Sequence, residues 1–177
     1  NHIPHISRRS FVVGAAATGG GLALSFDIPF GGPKAARSQG AIPEINAWVV
    51  IRPDDTVVIR MSRSEMGQGT ITGLAQMAAE ELECDWSKIT TEYPTPGQSV
   101  ARKRVWGDFS TGGSRGIRMS HEYVRMGGAT ARVMLVQAAA NAWDVPASEC
   151  TAANSVITHG PSGRTTTYGK VSEAAAK

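Results

Sequence analysis

An α+β fold with two β-hairpins and two main helices, forming part of a larger binding domain, is the class this sequence predicts. Three observations carry that prediction. Ala47–Ile51 and Thr56–Met61 are apolar, β-branched runs on either side of Pro53-Asp54-Asp55, which is turn chemistry. Ser155–His159 and Thr165–Tyr168 flank Gly160-Pro161-Ser162-Gly163-Arg164 in the same way. Between the two pairs, Leu74, Met77, Ala78 and Leu82 recur at helical spacing, and a longer helical run follows.

In chain order, Ser7-Arg8-Arg9-Ser10-Phe11-Val12 comes first, ahead of a mildly apolar, Gly/Ala-rich segment. That segment is about fifteen residues long, too short and too weakly apolar for a comfortable membrane span. The pattern resembles a twin-arginine translocation signal. It implies export of an already folded protein to the periplasm, with any membrane association indirect. Val13 stands where that signal usually has lysine, and Lys34-Ala35-Ala36-Arg37-Ser38 is the nearest approach to a cleavage site. Residues 1–40 are therefore read as signal and linker, and residues 41–177 as the domain.

The first hairpin leads into Arg63-Ser64-Glu65-Met66-Gly67-Gln68-Gly69-Thr70. Glycines where strand turns to helix expose backbone N–H groups and let a ligand approach the main chain. Thr70 or Thr72 is the expected N-cap. Glu80 and Glu81 are adjacent on the helix and read as a solvated face. Asp85-Trp86-Ser87-Lys88 ends the helix, and Ile89–Tyr93 is a third strand. Pro94 to Ser110 reads as a long irregular segment around Arg102-Lys103-Arg104, the kind of loop that usually carries function. Thr111-Gly112-Gly113-Ser114 is a second backbone-exposing turn, with Ser114 capping a helix from about Ile117 to Trp143. The apolar positions of that helix include Met119, Tyr123, Met126, Val133, Leu135, Val136 and Ala140. Gly127-Gly128 in its middle costs about 1 kcal/mol per glycine against alanine, which close packing of another backbone would justify. Asp144-Val145-Pro146 ends it. After the second hairpin a helix begins near Val171. The chain starts without methionine and stops inside that helical run, so a fragment or half of a split polypeptide is expected.

The formal charge is +3, and Arg8, Arg9, Lys34 and Arg37 against Asp27 account for it. The remainder is balanced, with one basic patch over 98–132, so a nucleic-acid surface is not expected and a local anion site is. Cys84 and Cys150 are the two cysteines. Without a C-x-x-C they encode neither zinc nor iron–sulfur ligation, and two separate thiols are expected rather than a disulfide. His121 and His159 read as structural. No nucleophile elbow, Walker sequence or zinc signature is present. The chain lacks a self-contained catalytic set and reads as a cofactor cradle. A dinucleotide site is the alternative, since Gly67-Gln68-Gly69 lies between strand and helix and Glu92 follows. Against it, five residues separate strand from glycine, and the strand belongs to an antiparallel hairpin. A non-catalytic exported interaction domain is the third reading.

Glu65-Met66-Gly67-Gln68-Gly69-Thr70, with Asn46-Ala47-Trp48, Ala79-Glu80-Glu81-Leu82, Asp85-Trp86, Thr111-Gly112-Gly113-Ser114 and Ser162-Gly163-Arg164 to Tyr168-Gly169, resembles the xanthine oxidase family of molybdenum hydroxylases. The arrangement is most similar to the large, molybdopterin-binding subunits of the isoquinoline 1-oxidoreductase and aldehyde dehydrogenase type. The resemblance runs from about residue 7 to 177. It implies a molybdenum–molybdopterin cofactor, in its cytosine dinucleotide form, held partly by Gly67, Gln68, Gly69, Thr111, Gly112, Gly113 and Ser114. Gln68 would hydrogen-bond an oxo ligand of the metal without ligating it, and Arg115 and Arg118 would contact phosphate or form ion pairs. The resemblance further implies hydroxylation of an aldehyde or N-heterocycle with oxygen from water. Electrons would leave through a [2Fe–2S] partner subunit, with a cytochrome c subunit as a further partner. The glutamate base of such enzymes has no matching motif here, so this chain alone is expected to be inactive.

Overall fold

In the computed structural model, residues 44–177 are described; the leader and linker predicted over 1–40 lie outside the described residues. The elements run β1 (Val49–Ile51), β2 (Val57–Arg60), α1 (Thr70–Leu82), β3 (Ile89–Glu92), α2 (Pro96–Ala101), α3 (Arg115–Arg118), α4 (His121–Trp143), β4 (Cys150–Ala153), β5 (Val156–His159), β6 (Thr165–Thr167) and α5 (Tyr168–Ala175). The α+β class and both hairpins hold.

β1 and β2 pair antiparallel with Val49 opposite Ile59 and Ile51 opposite Val57, and these four β-branched residues enter the apolar core. β3 then adds to the free edge of β2 in parallel, with Val58 opposite Thr90. β2–α1–β3 is therefore a crossover unit, which the reading of β2 as a hairpin strand only does not anticipate. α1 buries Leu74, Ala75, Ala78 and Leu82, the face its spacing predicts, against α4.

α4 buries a row of small residues: Gly127, Gly128, Ala131, Ala138 and Ala139, together with Val124 and Leu135. A Cβ added at Gly128 would lie 2.4 Å from the Ala78 carbonyl oxygen of α1, the backbone approach that the paired glycines predict. Of the larger apolar residues assigned to this face, Leu135 is buried and Tyr123 and Val136 pack against the core, but three others do not follow. Met119, Met126 and Val133 are 54%, 61% and 64% exposed. Two helices that approach this closely leave room only for small side chains between them, so the long ones turn outward.

Four elements differ from expectation. The irregular stretch after Pro94 contains α2, started by a capping box: Gln98 N–H donates to Thr95 Oγ1 (3.2 Å) and Thr95 N–H to Gln98 Oε1 (2.7 Å), with Pro96 in the first turn. The helix expected from Ser114 is two helices. Ser114 stands at the N-cap of α3 with a left-handed φ of +57° and no side-chain capping bond, α3 lasts one turn, and α4 starts after Ser120. The second hairpin is the latter half of a meander, because β4 pairs with β5 through Asn154 and Ser155 at φ +49° and +63°. Such a turn usually needs glycine second. Here Ser155 is held instead by tertiary bonds: its N–H donates to Glu83 O (3.0 Å) and its Oγ accepts from Asp85 N–H (2.9 Å). α5 begins at Tyr168, three residues early, where the phenol donates to Leu82 O at 2.6 Å and joins the second sheet to α1.

Candidate functional site

Two chain segments some forty residues apart meet at one open cavity of about 680 Å³. Met66, Gln68 and Thr70 come from the β2–α1 connection. Thr111, Gly112, Gly113, Ser114, Gly116, Ile117 and Arg118 come from the second glycine-rich turn and α3. Gln68 on one wall and Thr111, Gly112, Gly113 and Ser114 on the other are thus brought together around one cavity. Gly67 and Gly69 lie on the loop behind Gln68 and do not line the cavity. The lining offers one amide, three hydroxyls and one guanidinium, and no carboxylate. That set suits a neutral or anionic ligand rich in hydrogen-bonding groups.

Neither predicted threonine caps α1. Gly69 is the N-cap, at φ +78°, with no side-chain cap of its own. Thr70 is buried against Gly116, where a Cβ would come within 2.6 Å of Thr70 Oγ1. The helix N-terminus is not left open either. Glu65 Oε1 accepts from Gly67 N–H (2.7 Å) and Gly69 N–H (3.0 Å), and Oε2 accepts from Ile71 N–H (3.0 Å). Those donors, Ile71 and Gly69 foremost, hold the Glu65 carboxyl below its ordinary value of 4.5. Three of the backbone N–H groups that a strand-to-helix glycine turn offers a ligand are here taken by the chain itself. Gln68 also turns back on its loop: its Nε2 donates to Ser64 O at 2.8 Å and its Oε1 accepts from Met66 N–H at 2.5 Å.

Arg63 joins the two walls. It is buried, and its Nε donates to Ser120 Oγ at 2.9 Å. Nη1 donates to Asp108 Oδ1 (2.8 Å) and to Ser110 O (2.5 Å), and Nη2 to Tyr123 OH (3.3 Å). Asp108, which also accepts from Ser110 N–H, is held below the ordinary aspartate value by that bond and by Arg63. Two further ties run from the loop backbone: Ser64 N–H to Thr111 Oγ1 (3.2 Å) and Glu65 N–H to Tyr93 OH (3.1 Å). Arg115 reaches Asp108 at 3.4 Å, and Arg118 donates to Gly113 O at 3.2 Å while lining the cavity. Arg63, Glu65 and Tyr93 shape the site, yet sequence reasoning assigned them no role. Their partners lie up to sixty residues away. For Glu65 alone a local signal existed, a carboxylate just before a helix N-terminus.

The remaining candidates fall to structural roles. His159 is buried between Glu149 Oε2 (2.8 Å) and Ser162 Oγ (2.7 Å), and His121 is exposed. Cys84 and Cys150 are free, and burial pushes the Cys84 thiol up to about 12, far from a reactive thiolate. Arg102 pairs with Glu44 beside the buried Trp106, whose indole donates to Ala47 O at 3.0 Å. Two observations weigh against a dinucleotide site. Glu92, which would take the ribose, is engaged by Arg60 Nε at 2.6 Å, and the α1 N-terminus that would take pyrophosphate already faces the Glu65 carboxylate. Among the described residues no helix is long and apolar enough to cross a membrane.

Comparison with known proteins places this site in a family. Residues 8–177 match the family described as "Molybdopterin cofactor-binding domain". The isoquinoline 1-oxidoreductase subunit beta of Brevundimonas diminuta is 33% identical over 169 residues, covering 94% of this chain and 22% of that protein. A membrane-bound aldehyde dehydrogenase [pyrroloquinoline-quinone] of Gluconacetobacter polyoxogenes is 30% identical over 171 residues, covering 94% of this chain and 21% of its own. The chain thus spans about a fifth of the length of these relatives. Among solved structures, quinoline 2-oxidoreductase from Pseudomonas putida 86 aligns with 71% of this chain and 15% of its own, at 18% identity and a TM-score of 0.47. With the family match running through both walls of the cavity, this chain belongs to the molybdopterin cofactor-binding domain family of the xanthine oxidase group of molybdenum enzymes.

Proposed function

We propose that this chain supplies one part of the molybdenum-cofactor cradle of an oxidoreductase that hydroxylates an aldehyde or an N-heteroaromatic compound. The observation that carries this reading is the convergence of Gln68 with Thr111, Gly112, Gly113 and Ser114 on one cavity. The donor chemistry fits the cofactor: hydroxyls, an amide and Arg118 can serve oxo, pterin and phosphate groups, and no lining carboxylate opposes their charge. When bound, a molybdenum–molybdopterin group, in cytosine dinucleotide form, supplies a two-electron acceptor for an insertion in which a substrate C–H bond becomes C–OH. Water provides the oxygen, and two protons and two electrons are released.

The residues of this chain bind and orient. Gln68 would turn its amide from Ser64 O toward the group, donating without adding charge. Gly112 and Gly113 give clearance, Thr111 and Ser114 offer hydroxyls, and Arg118 offers a cation. The electrons would pass to a [2Fe–2S] partner subunit and onward to a cytochrome c subunit. Residues 1–40 would direct export to the periplasm by the twin-arginine route, after the folded protein has taken up its cofactor.

The test is cofactor analysis of the full-length protein, purified from periplasmic and cytoplasmic fractions of cofactor-competent cells. Molybdenum and pterin in about one-to-one ratio with the polypeptide in the periplasmic fraction are expected, and Gln68→Ala should lower turnover at least tenfold. Protein carrying pyrroloquinoline quinone, as the name of one relative would suggest, or neither metal nor pterin, would overturn the reading. Cytoplasmic retention would overturn the export part alone.

A further inference from the structure

We propose that Glu65 positions the cofactor loop, fixing its backbone so that Gln68 alone has to move when a ligand enters; the inference rests on the cradle reading above. Residues 64 and 66 to 69 are exposed, and a Cβ built at Gly67 or Gly69 would meet nothing within 4 Å. Side-chain packing therefore does not hold this part of the loop in shape. Its two glycines, at φ +92° and +78°, have the widest backbone freedom of any residue. Hydrogen bonds must supply the order; beyond the two ties that anchor the start of the loop, Ser64 N–H to Thr111 Oγ1 and Glu65 N–H to Tyr93 OH, they divide into two independent sets.

The first set belongs to Glu65. One carboxylate gathers the N–H groups of Gly67, Gly69 and Ile71, which span the loop and the first turn of α1. All three are charge-assisted, roughly twice as strong as neutral bonds. The second set belongs to the Gln68 amide, which bonds Ser64 O and Met66 N–H. Both of those backbone groups are in exposed residues, where water can replace the lost partner at little cost. No Glu65 bond involves the Gln68 side chain. Rotating Gln68 outward into the cavity it already lines thus breaks the weak set and leaves the strong one intact. Both Glu65 oxygens face backbone donors, so the carboxylate serves as a clamp, with its charge satisfied before any ligand arrives.

The experiment compares Glu65→Ala, Glu65→Gln and Gln68→Ala in the full-length protein, by site-resolved amide hydrogen exchange and by molybdenum content. Glu65→Ala should speed exchange at Gly67, Gly69 and Ile71 by roughly tenfold or more and lower the metal content, with protection in α4 unchanged. Glu65→Gln keeps an oxygen for Gly67 and Gly69 but sets an NH₂ against Ile71 N–H. It should restore protection at the two glycines, leave Ile71 fast, and recover part of the metal. A side chain that only filled space would not give that split. Gln68→Ala should leave all three amides protected. Unchanged exchange in Glu65→Ala, or equal loss in Gln68→Ala, would overturn the proposal. Should Glu65→Ala fail to fold, the split between Gly69 and Ile71 in Glu65→Gln decides alone. Wild-type protein free of molybdenum and pterin would refute the cradle reading, while the exchange pattern would still judge Glu65.

Discussion

Arg63 shows how one side chain can carry a site without touching its cavity. Its guanidinium serves Ser120, Asp108, Ser110 and Tyr123 at once, from a position 5% exposed. Lysine keeps the charge but has no planar fork with which to reach divergent acceptors. Arg63→Lys should therefore cost about 2–3 kcal/mol, read as a lowered urea midpoint. Asp108→Asn, at a carboxylate 61% exposed, should cost less than about 1 kcal/mol. Equal costs would mean that the Arg63–Asp108 pair, not the whole hub, holds the walls together. At this scale the sequence was legible where chemistry is local. Gln68 and Thr111 to Ser114 stood out because glycines cluster around them, and they do share a cavity. Arg63 and Glu65 were read only as letters of a motif. The distances that give Arg63 its meaning are tertiary, and Glu65's capping role was hidden by the expectation that a threonine would do it.

At the scale of elements, the small residues where α4 meets α1 set how closely the two main helices pack. Helix propensity alone would favour Gly128→Ala by about 1 kcal/mol. The new methyl would lie 2.4 Å from a backbone oxygen of α1, which can yield only if the helix moves. Overpacking of this kind costs about 1–3 kcal/mol, at the upper end against backbone, so after the propensity gain a net destabilisation of about 1–2 kcal/mol is expected. Gly97→Ala is the control. Its nearest neighbour would be Thr95 Oγ1 at 3.9 Å, so it should be neutral or slightly stabilising. Thermal unfolding of the two variants measures the contrast, and a stable Gly128→Ala would show that the helices can part freely. The same contact explains a misreading. Amphipathic spacing finds large apolar residues such as the buried Leu135, so Met119, Met126 and Val133 drew attention while most of the buried stripe was glycine and alanine. α2 and β4 escaped because their signals were a capping box inside a presumed loop and a left-handed turn without glycine.

For the whole molecule, the α+β class was legible from period and turn chemistry, but the joining of the two sheets was not. It runs through one apolar core, in which Val49, Ile51 and Ile59 of the first sheet and Ile157 of the second are buried with residues of α4 and α5, and through long-range bonds such as that of α5 Tyr168 to α1 Leu82; no local pattern announces these. Stability against acid also belongs to this scale. Asp54, Glu65, Asp85 and Asp108 are all held below their ordinary values by hydrogen bonds made in the folded state. A depressed carboxylate binds fewer protons folded than unfolded. Its contribution is complete above the ordinary values of 4.5 for Glu65 and 3.8 for the aspartates, and it is lost as pH falls through the lower folded values. The unfolding temperature should be flat above about pH 5 and fall steadily below it. A midpoint that rises on acidification would contradict the assignment. The Arg63 hub has a last consequence, which concerns descent rather than energy. Arg63, Asp108 and the Ser120–Tyr123 pair sit on three stretches of chain, yet drift at one strands the others, Arg63 most of all. The two loops are thus inherited as one character: compensating changes should arise in pairs across them, and recombination between positions 63 and 108 would tend to produce offspring with neither parent's site.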